Sequence, residues 1–322
     1  MKLFLPAVPL LAGFLLDCII GDPYRLPHPV RLIGRLIAKL EQFVRSRMNN
    51  LRRGGVFLAL TVVLATGAVS FFLLFLCYRL HIVLGLTAES ILTCYLIAAK
   101  NLRDESMKVC KAAESGDTER ARKAVSMIVG RDTAVLDRDG ILRAAVETVA
   151  ENTSDGVTAP IFYCAFGGAV LSAMYKAVNT MDSMIGYQNA HYADLGRFAA
   201  RFDDAVNFIP ARLTAILMIA ACVPLRMDAA HAFRIWKRDR RKHASPNSAQ
   251  TESVCAGALH LQLAGDAWYF GELHKKPFIG DPDRAIEPDD IRRANRLMYA
   301  ASVGMLLLGC AVRMLLFRGC YS

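Results

Sequence analysis

GGVFLALTVVLATGAVSFFLLFLCY (54–78) carries no charged residue over 25 positions. That is more than the roughly 20 residues a helix needs to cross a hydrocarbon core. Five more stretches share its character. Residues 297–317 are apolar but for Arg313, which can snorkel to an interface. Residues 80–99 hold one acid, Glu89, and 3–20 are apolar up to Asp17. Residues 157–175 are uncharged, and 205–225 are interrupted by Pro210 and Arg212. Six apolar segments predict a mainly α, polytopic integral membrane protein. The start of the chain has one Lys and no small-residue cleavage pattern before Gly21, so 3–20 does not read as a cleaved signal.

The rest of the composition agrees. Of 322 residues 54% are hydrophobic and 21% charged, with mean hydropathy +0.30. That excludes disordered, collagen-like and small disulfide-stapled classes. The nine cysteines form no C-x-x-C pair and lie mostly in apolar runs, as reduced packed thiols do. The net charge of +10 follows the topology. Loops 21–53, 100–156 and 226–296 hold eight, ten and thirteen Lys/Arg, against one at the 79 turn and three in 176–204. This alternation places the rich loops in the cytoplasm and both termini outside. With no recognition motif or aromatic-basic platform, no nucleic-acid partner is expected.

The polar loops 100–156 and 226–296 read as folded parts of one membrane-embedded domain. Helices are predicted to run to about Glu114, after Asp117, after Asp137, over 228–243 and over 248–263, with short strands near AWYFGEL (267–273). A turn motif echoes between GDPYRLPHP (21–29) and GDPDRAIEP (280–288), which ordinary Gly-Asp-Pro turn chemistry explains. His28, His81, His191 and His274 have no partner at ligand spacing and read as structural.

No nucleotide-binding, serine-hydrolase or zinc-protease signature is present. What stands out is carboxylate and amide spacing. Glu147, Glu151 and Asp155 recur at i, i+4, i+8, and Asn152-x-x-Asp155 is repeated as Asn179-x-x-Asp182. Asp203, Asp204 and Asn207 follow, with Arg201 and Arg212 near in sequence. Acids four apart repel, so such a stripe is either a solvated face or a site for cations. Mg²⁺ takes one or two carboxylates plus phosphate oxygens. A second constellation, RIWKRDRRKH (234–243), has six Lys/Arg in ten residues and is followed by Ser245, Asn247 and Ser248. It suits a phosphate or carboxylate, or an anionic lipid surface.

Seven blocks carry a resemblance: DCIIGDPYRLPHPVRLIGR (17–35), SMIVGRDT (126–133), ETVAENTSDG (147–156), YKAVNTMDSMIGY (175–187), RFDDAVNFIPARLT (201–214), RDRRKHASPNS (238–248) and IRRANRL (291–297). Apart from Ser154 and Thr158, together they resemble the CobD/CbiB family over about residues 11–300. The resemblance implies an acid–amine ligase of cobalamin biosynthesis. It would join (R)-1-amino-2-propanol or its O-phosphate to the f propionate of adenosylcobyric acid, giving adenosylcobinamide (phosphate). ATP and Mg²⁺ are the implied cofactors. The implied setting is the inner membrane, with the site facing the cytoplasm among lipid and other cobalamin-assembly enzymes.

The expected catalytic set is Glu147, Glu151, Asp155, Asp182, Asp203 and Asp204, with Asp155 and Asp182 as Mg²⁺ ligands. The expected substrate or phosphate set is Asn152, Lys176, Asn179, Ser183, Arg240, Arg241, Lys242, His243, Ser245, Asn247 and Ser248. Two other classes fit the residues alone: a transporter with intramembrane acids, and an intramembrane Mg²⁺-dependent phosphoryl or prenyl transferase.

Six full crossings would put Asn179–Asp182 and Asp203–Asn207 outside, away from cytoplasmic ATP. The expectation is therefore that 157–175 turns at Gly167-Gly168 and 205–225 is cut short at Pro210. Both would then dip into the membrane without crossing.

Overall fold

The computed structural model describes residues 2–21, 28–187 and 189–317. The chain is helical almost throughout, with α1 (Val8–Ile20), α2 (Pro29–Arg47), α3 (Leu51–Leu80), α4 (Ile82–Leu96), α5 (Ala99–Glu114), α6 (Thr118–Val125) and α7 (Arg138–Asn152) in order. A π-helical turn (Thr153–Thr158) leads into α8 (Ala159–Ile185). Then come α9 (Arg197–Cys222), α10 (Ala229–Asp239), α11 (Ser248–Leu259), four short strands, and α12 (Asp289–Leu316). Five helical stretches are long and apolar enough to cross a membrane: Leu51–Leu80, Ile82–Glu114, Arg138–Ile185, Arg197–Cys222 and Asp289–Leu316. Phe4–Ile20 is a shorter apolar helix. Leu64, Val69, Phe72 and Leu76 of α3 are more than half exposed, a surface that suits lipid.

The chain divides into two compact units. The first comprises residues 1–98, 159–207 and 306–322, the second 99–158 and 208–305. In the first, Ile33 and Ile37 of α2, Leu58 and Val62 of α3, Met181 and Ile185 of α8, and Leu195 form a buried core. His28 caps α2 by accepting from the Val30 amide and meets Tyr95 edge-on, and His81 caps α4 through the Val83 amide.

α8 is not one rod. Gly167 and Gly168 leave helical geometry, Gly168 with φ +63°, a conformation open to glycine. Ser172 then donates to the carbonyl of Pro160 at 3.0 Å, and the Tyr163 and Tyr175 rings stack at 5.0 Å. Twelve residues of straight helix span about 18 Å, so the chain reverses at the glycine pair. Arg138–Ile185 is therefore apolar enough to span but folded back within its length.

Around this turn lies a buried polar knot. Arg313 bonds Glu89 at 3.0 Å and the Cys164 carbonyl at 2.8 Å, and the Tyr78 hydroxyl donates to Glu89 at 2.6 Å. Arg313 is 3% exposed and does not snorkel. Desolvation of Glu89 requires a partner, and Arg313 of α12 supplies it.

α9 continues as helix through Pro210, contrary to the expected break. Pro210 cannot donate to the Val206 carbonyl. The Tyr163 hydroxyl does so instead, at 2.8 Å. At 26 residues α9 spans about 39 Å.

In the second unit the helix starts follow the aspartates. Asp117, Asp137 and Asp228 accept from the amides of Arg120, Gly140 and His231, the N-cap bond. Strands Ala267–Tyr269 and Glu272–His274 pair across Phe270-Gly271, both with positive φ, as a two-residue hairpin of mirror-image turn type requires. Strands Leu263–Ala264 and Phe278–Ile279 also pair antiparallel. The eight described cysteines are thiols outside any disulfide. Of the echoed turn, residues 22–27 lie outside the described residues, whereas Gly280 and Asp281 are placed and Asp281 pairs with Arg238 at 2.9 Å.

Candidate functional site

The expected site residues fall into two clusters, one in each unit.

The second unit holds the larger. Glu147 and Glu151, one turn apart on α7, share a face. Glu147 is 3% exposed, bonded to Arg131 and accepting from the Ala264 amide at 2.6 Å. Glu151 accepts from the Ser248 hydroxyl at 2.8 Å. Beside them stands Glu252 of α11, a helix buried along its whole length. Its Oε2 atom is buried with no hydrogen-bond partner among the described residues. Burial drives the Glu252 carboxyl well above the ordinary carboxylate range. Glu151 and Glu147 add to the effect, while Arg131 and Lys276 oppose it. Asp155 belongs to the π-helical turn, where the wider winding takes it out of the α-helical register of Glu147 and Glu151. Asn152 spends its amide on the Thr148 carbonyl of its own helix.

The basic run lies between α10 and α11. Asp239 is buried, and burial alone would raise its pKa. Arg238, Lys242 and the Gly280 amide outweigh that and hold it at about 2. Lys242 is thus occupied, at 2.8 Å from Asp239. Arg240 lies over the Trp236 ring at 4.7 Å, and Arg241 is exposed. Both stand close to Arg212, whose guanidinium bonds Asn247 Oδ1 at 3.1 Å. Three guanidinium groups gathered beside an amide favour an anion between them. His243 Nδ1 accepts from the Ser245 amide at 3.1 Å, so a neutral ring carries its proton on Nε2 and presents a donor. Burial holds the His243 pKa below its usual value. Glu151 opposes this and Lys276 reinforces it. Ser245 Oγ in turn accepts from the Asn247 amide at 3.3 Å.

The first unit holds the other cluster. Tyr175, Asn179 and Asp182 lie along one face of α8 at i, i+4, i+7. Asn179 and Asp182 stand beside Asp203 of α9, with Asp204 adjoining. Asp203 is buried and accepts from Asn207 at 2.9 Å, and Asn207 accepts from the Tyr175 hydroxyl at 2.8 Å. The Asp203 Oδ1 atom has no hydrogen-bond partner among the described residues. Lys176 is half-buried, and Ser183 is exposed and bonded to the Asn179 carbonyl. Of the two expected metal ligands, Asp155 belongs to the second unit and Asp182 to the first.

Each cluster therefore contains acids crowded together and one buried carboxylate oxygen with a free lone pair. Such oxygens fit a hard cation. The sequence reading missed Glu252, Arg131 and Lys276. Glu252 had a signal: it lies four residues after Ser248, in a run of small residues (SAQTESVCAGAL, 248–259) that marks a helix packed on every side.

Comparison with known proteins agrees with these blocks. The family model described as CobD/Cbib protein matches residues 10–298. A protein of Clostridium perfringens named cobalamin biosynthesis protein CobD is 44% identical over 96% of this chain and 98% of its own length. One of the same name from Pelobacter propionicus is 47% identical over 94% of each chain. Cobalamin biosynthesis protein CbiB of Salmonella arizonae is 44% identical over 94% of this chain and 95% of its own. No solved structure matches. With the match running through every block that builds the two clusters, the chain belongs to the CobD/CbiB family.

Proposed function

We propose that this membrane protein is an enzyme of cobalamin biosynthesis, an ATP-dependent acid–amine ligase. It would form an amide between the f propionate of adenosylcobyric acid and (R)-1-amino-2-propanol or its O-phosphate, in the inner membrane with the site facing the cytoplasm. A carboxylate does not yield to an amine at neutral pH until one of its oxygens becomes a leaving group. Transfer of a phosphoryl or adenylyl group from ATP provides this, releasing ADP or pyrophosphate, and phosphate or AMP respectively then leaves as the C–N bond forms. Phosphate chemistry needs cations and hydrogen-bond donors: Arg212, Arg240 and Arg241 offer the charge, and His243 Nε2 offers an N–H.

The amine arrives as an ammonium and must lose a proton before it attacks. Glu252 is the observation that carries the reading: a buried acid beside two others, with a raised pKa and an unused oxygen, suits a proton-transfer role. Glu147, fixed by Arg131 and the Ala264 amide, and Glu151, fixed by Ser248, stand beside it. Mg²⁺, when bound, would neutralise phosphate oxygens. Asp155 in the second unit and Asp182 in the first are each a proposed ligand for such an ion, and within the first unit the free oxygen of Asp203, beside Asp182, fits it as well.

A growth test separates this step from its neighbours. A strain lacking the protein and dependent on cobalamin should grow on cobinamide and fail on cobyric acid. Growth on cobyric acid would overturn the proposal.

A further inference from the structure

Away from both clusters, the N-terminus of α10 and the C-terminus of α11 bring together His231, His260, Asp228 and Asp283. The two imidazoles stack, with centroids 4.3 Å apart. His231 is 4% exposed, and its Nδ1 lies 3.0 Å from the Gly257 carbonyl. A carbonyl only accepts, so that nitrogen carries the proton and the Nε2 lone pair is left bare. It faces Asp283 Oδ2 at 3.8 Å. His260 is bracketed: Nδ1 lies 3.2 Å from Asp283 Oδ2, and Nε2 lies 3.3 Å from Asp228 Oδ2. A neutral imidazole has one N–H, so one of its nitrogens confronts a carboxylate lone pair to lone pair. The second Asp228 oxygen, Oδ1, is held by the His231 amide at 2.8 Å. The surplus of lone pairs calls for a cation.

The geometry points to a divalent transition-metal site formed by Asp228 Oδ2, His231 Nε2 and His260 Nε2. Asp283 orients His260 through Nδ1–H. Each of these three residues offers a ligand atom within 4.8 Å of those of the other two, and His260 Nε2 lies 3.3 Å from Asp228 Oδ2. Metal–ligand bonds of about 2.0–2.1 Å in a tetrahedron separate ligands by about 3.3 Å, so binding needs the His260 ring to tilt out of the stack until the two lone pairs converge, together with a contraction of the cluster. Asp228 and His260, at 42% and 40% side-chain exposure, are free to make it. Two imidazoles with a carboxylate select Zn²⁺, Ni²⁺ or Co²⁺ over Mg²⁺ and Ca²⁺, and the exposed side gives the ion an entrance. A metal here would clamp α10 to α11, the pair of helices that presents Arg240, Arg241, Asn247 and Ser248 at its other end.

The test uses untagged full-length protein in detergent, stripped with chelator and titrated with Zn²⁺ or Co²⁺. Calorimetry should give one saturable site, Co²⁺ should add a visible ligand-field band, and Zn²⁺ should raise the unfolding temperature. His260→Asn keeps a residue that tolerates the left-handed backbone at this position (φ +54°), and it should abolish all three signals. Asp283→Asn should weaken binding by about 10–100-fold. No saturable binding in the parent protein, or binding retained by His260→Asn, would overturn the site. So would stabilisation on acidification with no metal response, since a proton on His260 would then fill the bracket.

Discussion

The Ser172 hydroxyl donates to the carbonyl of Pro160 at 3.0 Å, closing a helical hairpin whose turn is Gly167-Gly168. Pro160 lies near the start of the uncharged run 157–175, which hydropathy alone reads as one span. The bond shows instead two short limbs, with the second carrying Asn179 and Asp182.

If the hairpin dips into the bilayer and returns, Asn179 and Asp182 stay on the cytoplasmic side. A single cysteine at exposed Ala190, in a cysteine-free background that retains function, is expected to react with impermeant maleimide only from the cytoplasm. Labelling from outside would restore a full crossing and remove Asp182 from a cytoplasmic site.

The turn is fixed by Glu89 and Arg313. A Cβ added at Gly168 would lie 2.6 Å from Glu89 Oε1. Arg313→Ala strands a buried carboxylate and is expected to cost about 3–5 kcal/mol. Glu89→Gln combined with Arg313→Met should recover a large part of that loss. Thermal unfolding in detergent of the two single variants and the double variant measures the coupling. Additive losses would show that the pair does not hold the turn.

Glu252→Gln keeps the shape of the side chain and removes its charge. Turnover should fall by about 10²–10⁴-fold, the usual worth of a proton-transfer group, while insertion and yield are unchanged. Stability should move the other way. The folded pKa of Glu252 is raised, so folding binds a proton. Its stabilising share is complete below the unfolded value of about 4.3 and is lost as pH rises through the folded value. The variant should therefore melt higher than the parent at pH 8, with no such gain at pH 4. Normal turnover in Glu252→Gln would remove it from the mechanism.

The exposed guanidinium of Arg241 and the Arg212–Asn247 bond predict a ligand effect rather than a folding effect. Arg241→Ala and Asn247→Ala should each raise KM for ATP or the amine phosphate several-fold, with about 1.5–3 kcal/mol for a charge-assisted bond as the upper bound. Changes confined to membrane yield would assign the run to lipid.

Much of this was legible before any coordinates. Uncharged runs and aspartate caps place α3, α6 and α7 because hydrophobic length and N-cap bonds are local. The stop at Pro210 was misread because its cure, the Tyr163 hydroxyl on the Val206 carbonyl, comes from 43 residues away. The partner of Glu89 is hidden from the sequence for the same reason, since Arg313 lies 224 residues on. In the site, Glu147, Glu151, Asp182, Asp203 and the 238–248 run stood out by spacing and charge. Glu252 did not: a lone acid among small residues acquires meaning only when α11 packs against α7.

The most direct measurement of the central claim is product formation by the purified full-length protein in detergent. Supplied with adenosylcobyric acid, (R)-1-amino-2-propanol O-phosphate, ATP and Mg²⁺, it should yield adenosylcobinamide phosphate by mass spectrometry, with ATP consumed in proportion. No product should form without ATP or with Glu252→Gln. Folded protein that binds the corrinoid yet gives no ATP-dependent amide with either the amino alcohol or its phosphate would contradict the account.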